Sequence, residues 1–250
     1  MKFNFIKTIA LLIAVSFVVL TFSLVKTVRA FDIATVTVGL ADCDYTDLQK
    51  AIDDAATGPT IIVLMEDILV SGTVFVKARQ NITLTSGDHG PYKIDAGGGN
   101  FTVITNSGKL SLTQIKVTGA NSTDLGGGIY NNGILFMWDG AVISGNTAKD
   151  GGGVYNCGVL NLEYGAKISN NASRFNIPSG GGFGGGVWNQ SVVTMEDGSE
   201  ISHNRSDTYG GGVYNYDRAE FIMNGGKISG NEAIYGGGVY NSGEAWDEAA

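Results

Sequence analysis

The hexapeptide GGGIYN at Gly126–Asn131 comes back four times, as GGGVYN from Gly151, GGGVWN from Gly184, GGGVYN from Gly210 and GGGVYN from Gly236. The steps between the first glycines are 25, 33, 26 and 26 residues. Recurrence at that period is the signature of stacked units, each too small to bury its own apolar face. A second mark follows the same steps: ISGN ends at Asn146, ISNN at Asn171, ISHN at Asn204 and ISGN at Asn231. Between the marks lie apolar pairs one residue apart: Leu135/Met137, Leu160/Leu162, Val193/Met195 and Phe221/Met223. That spacing is a strand period, not a helix period. Asp139-Gly140, Tyr164-Gly165, Asp197-Gly198 and Asn224-Gly225 read as turns that suit positive φ. Each unit is thus three short strands, each followed by a turn.

Such units close a core by stacking like residues on like. The expected fold class is all-β, a right-handed parallel β-helix with about 25 residues per coil. Leucine-rich repeats fit less well, because no helical segment separates the marks. Val154, Leu160, Leu162 and Ile168 are the inward candidates of one coil. The glycine triplets give tight bends and close backbone approach between coils about 4.8 Å apart. Asn131, Asn156, Asn189, Asn215 and Asn241 should form one hydrogen-bonded column, and Asn146, Asn171, Asn204 and Asn231 another. The 33-residue step marks an insertion from Ser173 to Phe183, containing Arg174, Phe175 and Gly180–Gly182. It reads either as a wall beside the repeat face or as a flap.

The expected organisation is an export segment over residues 1–30, an N-terminal cap over 31–59 and the β-helix over 60–250. Lys2 and Lys7 precede an uncharged run from Ile9 to Val25, and Val28-Arg29-Ala30 gives a cleavage spacing. This reads as a signal peptide cut after Ala30. A retained anchor is the alternative, since the run only reaches the lower limit for spanning. Localisation outside the cell or on its surface follows. Without residues 1–30 the chain has 12 Lys and Arg against 24 Asp and Glu, a net −12. An acidic surface argues against nucleic acid and anionic membranes as partners. Thr46 to Ala56 reads as a short capping helix, with Thr46 and Gln49 as a capping box and Leu48, Ile52 and Ala55 on one face. At the other end no cap is evident, and Val239 and Trp246 sit near the acids Glu244, Asp247 and Glu248. End-to-end self-association, or further coils in a longer protein, is the expectation there. Cys43 and Cys157 fall too many coils apart to bridge.

The GGGI or GGGV tetrapeptides at Gly126–Ile129 and its copies, with Ile143–Asn146 and its copies, resemble the GGAI and F-x-x-N marks of the polymorphic outer membrane protein repeat of chlamydial surface proteins. More broadly the chain resembles the pectate-lyase-like β-helix superfamily. The resemblance spans residues 126–241 and implies an extracellular, adhesin-like surface protein. Members of the first family also carry a C-terminal membrane barrel, and no barrel sequence is present here.

Candidate chemistry is sparse. Hydrolases of this architecture need converging carboxylates, and lyases a Ca²⁺ site of clustered acids. Asp53-Asp54 should face solvent from the helix. Asp139 and Asp197 share a turn position two coils apart, with Tyr164 between them, and Asp150 and Asp207 flank triplets without a partner. His89 sits in a turn. His203 fills a slot held elsewhere by Gly145, Asn170 and Gly230, which reads as outward and non-catalytic. No catalytic residue, metal site or cofactor is expected. The one feature above the scaffold is an outward aromatic ladder of Tyr130, Tyr155, Trp188, Tyr214 and Tyr240. It suits stacking against sugar rings, unless the rings stack on one another and hide their faces. The leading expectation is a non-catalytic surface protein, adhesin-like or structural, whose partner is a polysaccharide or a neighbouring cell surface. A polysaccharide lyase or glycoside hydrolase is the alternative.

Overall fold

The computed structural model describes residues 33–40, 42–55, 58–176 and 180–243. The expected export segment, and Glu244, Trp246, Asp247 and Glu248, lie outside the described residues. No helix among the described residues is long and apolar enough to cross a membrane. The chain winds into a parallel β-solenoid of about 8 turns, with about 26 residues per turn. Each full coil adds one strand to each of three parallel sheets. The coil opened by Gly126 shows the order: Ile129–Asn131, then Ile134–Met137, then Val142–Ser144. The sheet containing Ile134–Met137, here the first sheet, has eight strands, from Ala34–Val38 to Glu220–Met223. The second sheet, containing Val142–Ser144, has seven, from Ile68–Leu69 to Lys227–Ser229. The third, containing Ile129–Asn131, also has seven, from Val74–Val76 to Val239–Asn241.

Register follows the repeat residue for residue. Leu135 pairs with Leu160, Leu160 with Val193 and Val193 with Phe221. Alternation sends one side of each strand into a continuous core, where Val154, Leu160, Leu162 and Ile168 are fully buried. Each such side chain stabilises the stack by roughly 1.5–3 kcal/mol. The last pair departs from the pattern. Phe221 is half-buried and Met223 is 47% exposed, because no described strand of the first sheet lies beyond theirs.

The triplet divides its work between its glycines. The first of each is left-handed, with φ of +69° at Gly126 and +62° at Gly151. The second and third lie against the next coil: a Cβ on Gly153 would stand 2.6 Å from the Gly186 carbonyl oxygen. The slot shared by Gly145, Asn170, His203 and Gly230 is also left-handed, with φ between +54° and +71°. That conformation explains its restriction to Gly, Asn and His, the residues that tolerate it best. The expected turn at Asn224-Gly225 differs by one position, since Gly226 takes the positive φ of +80°. Arg218, not a repeat position, takes another at +57°.

The N-terminal region is more regular than the sequence suggested. Ala34–Val38 already pairs in parallel with Pro59–Leu64, so the first sheet begins well before residue 60. The helix runs Leu48–Asp54 and buries Leu48, Ala51 and Ile52, with Ala55 as C-cap outside it. Its N-cap is Asp47, not Thr46: the Asp47 carboxylate accepts the Lys50 N–H at 2.7 Å. The expected capping box does not form. Gln49 instead accepts the Phe75 N–H at 2.6 Å and donates to the Phe75 carbonyl at 3.1 Å. Its amide thereby pairs with the first strand of the third sheet as a neighbouring strand would, covering that edge. Asp53 and Asp54 face solvent and pair with Lys77 and Lys50, each at 2.8 Å.

Candidate functional site

The third sheet places the five ladder residues in one column. Tyr130 pairs with Tyr155, Tyr155 with Trp188, Trp188 with Tyr214 and Tyr214 with Tyr240. Their rings stack on one another. Centroids are 5.2 Å apart for Tyr130–Tyr155, 4.0 Å for Tyr155–Trp188, 6.4 Å for Trp188–Tyr214 and 5.7 Å for Tyr214–Tyr240. Interplanar angles stay at or below 18° along the column. Coil spacing is what sets these distances, so the inner ring faces are spent on stacking. Trp188 and Tyr214 are buried. Burial pushes the Tyr130, Tyr155 and Tyr214 hydroxyls above the usual tyrosine range.

A second aromatic column lies beside the first. Phe183, Tyr209 and Tyr235 occupy one bridge position on successive coils. Tyr209 stacks on Tyr235 at 4.9 Å, and Phe183 meets Tyr214 at 5.1 Å. Tyr216 closes the opposite margin, 5.4 Å from Trp188. Together they form a continuous aromatic face over the C-terminal coils. Its open surface belongs to the margins: Tyr216 is 42% and Tyr235 54% exposed. The sequence signal for this column is weak, because the same position holds Leu125 and Asp150 in earlier coils.

The insertion is a short antiparallel pair, Phe175–Asn176 with Gly180–Gly181, next to this face. Asp150 and Asp207, which the sequence left without partners, both anchor it. Asp150 accepts the Phe183 N–H at 3.0 Å, and Asp207 accepts the Phe175 N–H at 3.1 Å. Backbone N–H partners are invisible to a search for side-chain constellations. Burial raises the Asp150 carboxyl above the ordinary range, against the pull of the Phe183 N–H. Thr208 and Ser206 hydroxyls donate to the Gly182 carbonyl, completing the anchor.

Two polar columns run through the core beside the sheets. Asn106, Asn131, Asn156, Asn189 and Asn215 pass an amide hydrogen bond from coil to coil at 2.7–2.9 Å. Asn106 starts the column one coil before the first glycine hexapeptide. Asn241 is in register with Asn215 but exposed, and Asn215 donates to the Ala219 carbonyl instead. Asn146, Asn171, Asn204 and Asn231 form the second column at 3.0–3.1 Å.

Among the described residues no group of three or more His, Cys, Asp and Glu is placed to hold a metal ion. Asp139, Tyr164 and Asp197 follow one another on successive coils at the turn before the second sheet. One carboxylate pair went unread in the sequence: burial, and then the neighbouring Glu196, raise the Glu163 carboxyl. His203 is exposed, as is His89. Cys43 and Cys157 are free thiols. Cys157 lies 3.9 Å from the Tyr130 hydroxyl, and burial pushes its thiol up. No family model, curated protein or solved structure matches this chain.

Proposed function

We propose that the chain is a secreted or cell-surface β-solenoid without catalytic activity, an adhesin-like or structural module that meets glycans through its aromatic face. The observation that carries this reading is the continuity of that face across the C-terminal coils, with Tyr216 and Tyr235 open at its margins. The internal stacking rigidifies the column, so the marginal rings are preorganised and lose little freedom on contact. The repeat's resemblance to chlamydial surface proteins points the same way. The expected result is retention of the purified chain on insoluble neutral polysaccharides such as cellulose, chitin or xylan. Retention should fall at least tenfold in the Tyr216→Ala, Tyr235→Ala double variant; unchanged retention would overturn the aromatic contact.

A glycoside hydrolase is the second reading, because Glu163 and Glu196 follow the paired Leu162 and Met195 on adjacent coils and two neighbouring carboxylates are what such an enzyme requires. Release of reducing ends from any of the same polysaccharides, abolished in Glu163→Gln, would replace the first reading with this one.

A further inference from the structure

Every ring of the aromatic face except Phe183 is a phenol or an indole, the side chains that, with thiols, give up one electron most readily. The rings form unbroken paths. From exposed Tyr235 the centroid steps are 4.9 Å to Tyr209, 4.7 Å to Tyr240, 5.7 Å to Tyr214 and 6.4 Å to Trp188. From exposed Tyr216 a single step of 5.4 Å reaches Trp188. Beyond Trp188 the steps are 4.0 Å to Tyr155 and 5.2 Å to Tyr130. Electronic coupling between side chains falls exponentially with separation, and adjacent stacked rings are the closest partners a column can offer. Indole and phenol lose an electron at similar potentials, so a hole placed on one ring hops either way until something captures it.

The path ends at a thiol. The Cys157 thiol is directed at the Tyr130 hydroxyl oxygen, 3.9 Å away, and at the Gln190 Oε1, 3.4 Å away. Burial pushes the thiol up, so it keeps its hydrogen at neutral pH. Cys157, Gln190 and Tyr216 hold one position on successive coils, each directly after a paired asparagine of the third sheet. Gln190 has no oxidisable group and separates Cys157 from Tyr216. The ring path from Tyr216 to the thiol therefore runs through Trp188, Tyr155 and Tyr130. Cys43, the other free thiol and equally half-buried, precedes the helix at the N-terminal end of the solenoid and takes no part in the column.

We propose that the aromatic face is a relay for one-electron oxidation, in which a radical oxidant takes an electron from the exposed rings and the hole passes through Trp188 and Tyr155 to Tyr130, where Cys157 discharges it. The oxidant, of the azide or peroxyl radical class, is reduced to its anion. The phenolic proton of the oxidised tyrosine leaves to solvent. Tyr130, as a neutral phenoxyl radical, takes the hydrogen atom of the Cys157 S–H bond. Its O–H bond re-forms, every ring is restored, and the unpaired electron remains on the Cys157 sulfur. In sum, oxidant radical and thiol give oxidant anion, a proton and a thiyl radical. The relay needs only the internal stacking and no glycan, so it stands independently of the function proposed above.

Azide radicals made by pulse radiolysis, which oxidise indole and phenol rings faster than protonated thiols, supply the test. A nitrone spin trap captures the thiyl radical, and peptide mass spectrometry locates it. The trap should mark Cys157 at least fivefold more than Cys43. Trp188→Phe keeps a ring in the stack that these radicals do not oxidise. It should lower the Cys157 adduct at least fivefold, and Trp188→Tyr should restore it. Tyr130→Phe removes the last hop, should have the same effect, and serves if Trp188→Phe does not fold. In Cys157→Ser the phenoxyl absorption should outlast that of the parent. Alkylation of Cys157 by iodoacetamide should proceed equally in the parent and in Trp188→Phe, which separates delivery through the rings from access to the thiol. Equal marking of the two cysteines, an undiminished adduct in the phenylalanine variants, no restoration by Trp188→Tyr, or a parallel fall in alkylation would overturn the proposal.

Discussion

Replacing Asn156 tests whether the buried amide column holds neighbouring coils together. Its side chain is fully buried in an interior coil. Its Nδ2 donates to the Gly158 carbonyl at 3.0 Å, the Asn189 Oδ1 at 2.9 Å and the Val192 carbonyl at 3.0 Å. Its Oδ1 accepts from the Asn131 Nδ2 at 2.7 Å. The three acceptors share the two amide hydrogens, so with the bond accepted from Asn131 the side chain makes three hydrogen bonds in all; at about 1 kcal/mol net each, Asn156→Ala should cost about 3 kcal/mol. In a chain of this length that lowers Tm by about 6–12 °C. The surviving partners soften the loss: Asn131 still reaches the Val159 carbonyl at 3.1 Å, and Asn189 still accepts from the Ser191 N–H at 3.1 Å. Asn156→Asp should be worse than alanine, although it is closer in shape. It keeps the acceptor but turns a second carboxylate oxygen toward three oxygens that now receive a donor. Asn241→Ala, at the exposed end of the same row, should change stability by less than about 0.5 kcal/mol. Urea unfolding followed by circular dichroism reads all three. A cost below about 1 kcal/mol for Asn156→Ala, or an aspartate variant milder than the alanine, would refute the reasoning.

Glycines should separate by what surrounds them. Gly72 has open space where a Cβ would go and no positive φ, so Gly72→Ala should stabilise by about 0.4–1 kcal/mol. Gly153→Ala, which must push the Gly186 carbonyl, should destabilise by about 1–3 kcal/mol; thermal melts that rank them the other way would contradict the proposed close coil contact. Asp150 supplies a pH test. Its folded pKa is raised by burial, so its contribution to stability is fully present below the ordinary carboxylate pKa and is lost as pH rises through the raised value. Asp150→Asn keeps an acceptor for the Phe183 N–H without the charge. The variant should therefore be more stable than the parent at pH 8, with the difference shrinking on acidification; denaturation curves showing a difference that grows toward low pH would exclude this account.

The coil was legible because its determinants are local and repeat. Val154, Leu160, Leu162 and Ile168 could be oriented from spacing alone, and the stacked Asn columns from recurrence. Tyr130 to Tyr240 could be placed in one outward row, but whether the rings bury one another depends on coil spacing and rotamers that no single strand encodes. Features that do not repeat were lost. Tyr209 and Tyr235 stack in a position where earlier coils carry Leu125 and Asp150, so alignment of the repeat shows no aromatic column. Asp150 and Asp207 have backbone partners across a 32- or 33-residue separation, set by an insertion whose conformation the repeat does not specify. At the N-terminus Thr46 and Asp47 both suit an N-cap, and tertiary docking of Gln49 on Phe75 took away the partner that would have favoured Thr46.

The insertion leaves its surroundings untouched: Val154 pairs with Val187, and Leu160 with Val193, across the 33-residue step. In a closed barrel an added segment must be absorbed by a fixed ring of strands. Here each corner is an open-ended address, and pairing on either side depends only on the coils above and below. Sequence novelty can therefore accumulate at one corner while the sheets that hold the chain together stay constant. The aromatic margin beside that corner can then change while the stacked strands under it keep their pairing.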